Sequence, residues 1–142
     1  MNYELELYRQ LFCCLKRGNI KGVFSNAKPI FLLTLINYPS IILKNRLFWK
    51  DVEFEKKYEE TFNKMETTKI TPLWKPFYYL SSESFYDLIW KTSPPSDLIR
   101  RPSGHLLKEF LDHAEIDDAL WHLIQNESNR KYLQECIINQ YF

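Results

Sequence analysis

Glycine is scarce in this chain, with 3 residues in 142. So few argue against an all-β fold built on tight turns and against a glycine-rich loop that cradles a nucleotide phosphate. Cysteine is also sparse. Cys13, Cys14 and Cys136 cannot close a paired framework, and the adjacent Cys13 and Cys14 do not have zinc-ligand spacing. A reducing, cytoplasmic location is expected. No long hydrophobic run is present: the stretch from Pro29 to Leu43 is short for a membrane span and is interrupted by Asn37 and Pro39, so no membrane partner is expected. The opening MNYELELYRQ carries two glutamates and no apolar centre, which does not read as a signal peptide.

Catalytic patterns are missing as well. His105, His113 and His122 lie eight and nine residues apart, so no two share a helical face at ligand spacing. HExxH and CxxC motifs and a His-Asn-His cluster are absent, and Ser25, Ser82 and Ser103 lack a nucleophile-elbow context. No metal or cofactor is expected, and a binding role is expected over an enzymatic one.

Aromatic residues are what the chain has in excess: 10 Phe, 9 Tyr and 4 Trp, or 16%. A core this small is not expected to cover them all. Helical periodicity is clear over residues 3–17, where Leu5, Tyr8, Leu11, Phe12 and Leu15 share a face, with Arg9, Lys16 and Arg17 off the stripe and Gly18 as a stop. A polar loop follows, and Pro29 suits the first turn of a second helix with Ser25 to Lys28 as its cap region. Its IFLLTLI is apolar all round, as expected of a buried central helix.

Residues 41–49 fit either a short helix or an extended segment. Asp51 is placed to cap a helix carrying Phe54, Tyr58, Phe62 and Met65 on one face and glutamates on the other. KPFYYL and FYDLIW, separated by SSES, predict a hairpin of two aromatic strands. Residues 97–101 read as a basic turn or helix, and helical patterns follow at 105–112, 116–125 and 128–141. The expected fold is α+β and predominantly helical, with helices around a small antiparallel hairpin in a winged-helix-like arrangement, as one domain over residues 1–142.

The near-neutral total conceals a partition of charge. Residues 1–50 hold 8 Lys/Arg and 2 Asp/Glu, whereas residues 111–142 hold 2 and 6. Such a split predicts one basic face suited to a polyanion and an acidic far side. Ser25, Asn26, Ala27, Lys28 and Pro29 open a helix with free backbone amides, a polar cap and a cation, a combination suited to phosphate, and equally to an ordinary capped helix. Lys75 and Pro76 add a second cation beside a rigid ring.

NAKPIFLLTLIN, KPFYYLSSESFYDLIW and HAEIDDALWHLIQNESNRKYLQECIINQYF, in that order, resemble the N-terminal DNA sulfur-binding domain of bacterial type IV HNH restriction endonucleases. That family shows a His-Lys/Arg-Pro helix start, a Pro-Phe-x-x-Leu hairpin and an Arg-x-x-Leu…Tyr-Phe terminal helix, and the likeness runs from about Tyr8 to Phe142. The resemblance implies a reader of phosphorothioate-modified double-stranded DNA, with a nuclease as partner or fused domain outside these residues. By position it implies DNA contacts from Lys21, Ser25, Asn26, Lys28, Lys75, Arg100 and Arg101, and a sulfur pocket from Ala27, Pro76 and Tyr79. The chain departs from the family pattern at Ala27, Lys75 and Tyr79, three positions that help build the pocket. A competing expectation is a protein-interaction module that presents Trp49, Trp74 and Trp90. An enzyme would need a pocket joining His105 or His122 to an acid.

Overall fold

The most apolar segment lies at the centre of the molecule. In the computed structural model, which describes residues 2–20 and 22–142, helix α2 (Ala27–Ile36) buries every residue except Lys28. A helix apolar on all sides needs neighbours on all sides. Before it come α1 (Tyr3–Phe12) and a two-residue ribbon, β1 (Asn19–Ile20) with β2 (Val23–Phe24). After it come α3 (Pro39–Lys44), β3 (Leu47–Phe48), α4 (Val52–Met65), α5 (Trp74–Tyr79), a 3-10 turn at Leu80–Ser82 and β4 (Tyr86–Trp90). The chain continues with α6 (Ser96–Arg100), α7 (Gly104–Phe110), β5 (Leu111–Ile116), α8 (Asp118–Leu123) and α9 (Glu127–Tyr141). The architecture is α+β and mostly helical, with a small antiparallel sheet in the order β3-β5-β4.

The aromatic excess is concentrated in the core. Phe31 of α2 sits edge-on to Phe54, Phe77 and Tyr86 at centroid distances of 5.4, 5.7 and 5.9 Å. Such pairs add about 0.5–1.5 kcal/mol each beyond area burial. Buried phenols are paired: Tyr86 donates to the Phe77 carbonyl at 2.6 Å and Tyr58 to the Thr71 carbonyl at 2.7 Å. Tyr3, Phe24, Phe48, Tyr79 and Phe142 are the aromatics left exposed among the described residues.

Several sequence expectations hold. Asp51 caps α4, its Oδ1 accepting from the Phe54 amide at 3.0 Å, and Phe54, Tyr58 and Phe62 are buried. The undecided 41–49 stretch divides: α3 ends at Asn45, whose φ of 50° reverses the chain into β3.

The hairpin at residues 75–90 does not form. KPFYYL is helical, because Leu73, Phe77 and Leu80 recur at i, i+4 and i+7 and all three are buried. Pro76 falls in the first turn, where its missing N–H costs nothing. The partner of β4 is β5, whose LDHAEI lacks a clean alternation because residues on both faces are buried; no strand is expected there, and the helical patterns at 105–112 and 116–125 reach into its two ends.

Helix α1 also stops short of the expected residue 17, at Phe12. The Tyr141 hydroxyl accepts from the Leu15 amide at 2.9 Å and donates to the Phe12 carbonyl at 2.6 Å. One residue on, Glu83 accepts from the Lys16 amide at 2.9 Å. These partners draw the backbone out of the helical path. Cys13 is therefore a half-buried cap residue and Cys14 is exposed, rather than both lying inside a helix.

Candidate functional site

The early end of α1, the start of α2 and the whole of α5 converge on one cavity of about 470 Å³. Lys16, Arg17 and Gly18 line it from the segment after α1; Ser25, Ala27 and Lys28 from the start of α2; Lys75, Pro76 and Tyr79 from α5; and Thr71 from the loop between. Its surface is largely apolar, yet among the described residues four cations border it and no carboxylate lines it. The volume is within the range of ligand sites that combine apolar walls with a few placed polar groups.

The apolar wall consists of Ala27 and Pro76, both buried, with Tyr79 standing 43% exposed at the mouth. Tyr79 is held edge-on to Tyr78 at 5.1 Å. On the cationic side, the Arg17 guanidinium lies between the Phe24 and Tyr141 rings, 4.8 Å from each centroid. Contact with two rings restricts a flexible side chain. Lys75 is exposed, with its ammonium 5.8 Å from the Trp74 ring centroid.

Lys28 is the least ordinary of the four cations. It occupies the first turn of α2, which has no acidic residue, so its charge opposes the helix dipole. Its Nζ donates to Ser82 Oγ at 3.0 Å and lies 3.5 Å from Glu83 Oε2; the two charged side chains are only 12% and 8% exposed. Burial pushes the Lys28 pKa below the usual lysine value, Glu83 acts in the opposite direction, and Lys16 adds to the fall.

The residues singled out from sequence divide into groups. Ser25, Ala27, Lys28, Lys75, Pro76 and Tyr79 share the cavity. Asn26 does not line it; its Oδ1 accepts from Arg17 Nη1 at 2.8 Å and its Nδ2 donates to Glu66, so it positions Arg17. Nor does the Asn26 side chain cap α2. Arg100 and Arg101 border a different depression with Asp97 and Leu106, and Arg100 pairs with Asp97 at 3.3 Å. Lys21 lies outside the described residues.

Sequence reasoning missed Lys16, Arg17, Gly18 and Thr71. Periodicity over residues 3–17 puts the two cations on the outer face of a longer α1; the signal that points to them is the basic excess of residues 1–50. Trp49, Trp74 and Trp90 are half-buried and packed against the core, with Trp49 edge-on to Phe77 at 5.0 Å. His105 and His122 are exposed, while His113 is buried between Asp112 at 2.7 Å and Glu115 at 3.3 Å. Among the described residues, no helix is long and apolar enough to cross a membrane. No family model and no curated protein matches the chain.

Proposed function

We propose that the chain is a non-catalytic DNA-binding module that holds a backbone phosphate, or its phosphorothioate analogue, in the cavity between α1, α2 and α5. The observation that carries this reading is the convergence of Lys16, Arg17, Lys28 and Lys75 on a wall made by Ala27, Pro76 and Tyr79. Cations on a phosphate oxygen supply affinity that is independent of base sequence and sensitive to salt. A non-bridging sulfur is larger, softer and a poorer hydrogen-bond acceptor than oxygen. An apolar wall accepts it without leaving a polar group unpaired.

A reader of this kind works in the cytoplasm beside a nuclease that is either fused to it or recruited. The chain itself provides recognition. Since the Lys28 ammonium is engaged by Ser82 and Glu83, the exposed cations Lys16 and Lys75 are the first to meet the phosphodiester backbone. Arg17, already oriented by two rings and Asn26, is the rigid element of the set.

Fluorescence-anisotropy titration of matched duplexes, one plain and one with a single phosphorothioate, at several salt concentrations tests this reading. Binding that weakens with salt is expected, with the sulfur-bearing duplex held more tightly. Lys75→Ala should reduce the salt slope by about 1. No binding of either duplex at low salt refutes the reading; equal binding of both reduces it to general DNA binding.

A further inference from the structure

Glu83 is a buried carboxylate that the proposed phosphate site does not require, and its placement has a consequence for which anions the site takes. Its Oε2 accepts from the Lys16 amide at 2.9 Å and lies 3.5 Å from Lys28 Nζ. Lys16 and Lys28 both line the cavity, while Glu83 stands behind them. One carboxylate thus holds the backbone of one cavity cation and neutralises the ammonium of another. We propose that Glu83 determines the charge of the anion accepted here: as the built-in counter-ion of Lys28, it admits a singly charged phosphodiester linkage and disfavours a doubly charged terminal phosphate.

This inference rests on the anion-cavity reading above. A buried charge persists only when paired and hydrogen-bonded, and Lys28 and Glu83 satisfy each other with Ser82 completing the set. The electrostatic result is a floor with no net charge beneath a rim of Lys16, Arg17 and Lys75. A diester linkage within a strand carries one negative charge, which the rim can meet. A strand end or a mononucleotide carries about two near neutral pH, and for its second charge the Lys28 ammonium, cancelled by Glu83, supplies no further attraction. The attraction that Glu83 cancels scales with ligand charge, so its loss is twice as large for the monoester as for the diester in free energy, and squared as a ratio of affinities.

The test uses two probes matched in shape, dimethyl phosphate and monomethyl phosphate, titrated at about pH 8 into the whole chain and followed by amide chemical shifts of residues 16–18 and 25–28. Glu83→Gln keeps the shape and an acceptor for the Lys16 amide while removing the charge. The expected gain in affinity is about fivefold for dimethyl phosphate and about 25-fold for monomethyl phosphate. Equal gains for the two probes, or none, overturn the proposal. The double variant Lys28→Gln/Glu83→Gln removes a neutral pair and should return the ratio of the two affinities to the wild-type value, an outcome that a purely structural role of Glu83 does not produce. It also serves if Glu83→Gln alone fails to fold; a ratio still shifted toward the monoester then refutes the assignment. Failure of both probes and of duplex DNA to bind any of the proteins would instead defeat the anion-cavity reading itself.

Discussion

Tyr141→Phe isolates the contact that turns a helix end into a wall of the cavity. The hydroxyl of Tyr141 makes two bonds with the segment after α1, accepting from the Leu15 amide at 2.9 Å and donating to the Phe12 carbonyl at 2.6 Å. Each such bond contributes about 0.5–1.5 kcal/mol net, so the substitution should cost about 1–3 kcal/mol. The upper part of that range applies if Leu15, a buried residue, is left with an unpaired amide. For a chain of this size the loss corresponds to a fall in Tm of roughly 3–10 °C. Because phenylalanine keeps the ring, the cation–π contact to Arg17 survives in this variant and is lost only in Tyr141→Leu, adding about 0.5–1 kcal/mol.

Urea denaturation gives the stability change, and amide hydrogen exchange locates it. The Leu15 amide should lose protection in Tyr141→Phe while the amides of α2 keep theirs. DNA affinity should fall in step, because residues 16–18 lose one of the anchors that hold them over the cavity, alongside the Glu83 bond to the Lys16 amide and the Asn26 bond to Arg17. Stability within about 0.5 kcal/mol of wild type together with an unchanged Leu15 exchange rate would refute the reasoning, since both bonds would then be replaced by water at no cost.

Asn26→Ala should lower DNA affinity by releasing Arg17 and should cost about 1–2 kcal/mol through the lost bonds to Arg17 and Glu66; anisotropy and thermal melting check both, and unchanged affinity would mean that Arg17 needs no orientation. Stability should also fall in alkali. Burial and the bond to Asp117 raise the Tyr8 phenol from 10.0 to about 12, and burial raises Tyr58 and Tyr86. Between those values the folded state holds protons that the unfolded chain has lost, so the contribution of Tyr8 is complete below about pH 10 and disappears as pH rises through about 12. Absorbance titration should show Tyr58 and Tyr86 ionising only with unfolding; their ionisation in the native protein below pH 10 would contradict the burial.

Much of this molecule is written locally in the chain. An all-apolar IFLLTLI leaves no face for water, so α2 must be central, and the Asp51 cap with Phe54, Tyr58 and Phe62 at helical spacing specifies α4 without reference to anything else. That the basic helix start and the Lys75–Pro76 segment share a pocket is what the family resemblance implies, and those residues do meet. Tertiary structure decided the rest. The aromatic run at residues 77–79 has high strand propensity, but the burial of Leu73, Phe77 and Leu80 together makes it a helix, because side-chain packing outweighs an intrinsic preference of a fraction of a kcal/mol. LDHAEI becomes the central strand only because β3 and β4 supply its hydrogen bonds from far upstream, Leu47 and Leu88 both pairing with Ala114. Lys16 and Arg17 enter the cavity because Tyr141 and Glu83, both distant in sequence, claim the backbone amides that a longer helix would have used. Short-range periodicity thus determined which helices form and which residues they bury. Long-range hydrogen bonds decided where those helices stop, and with that which charges face one another.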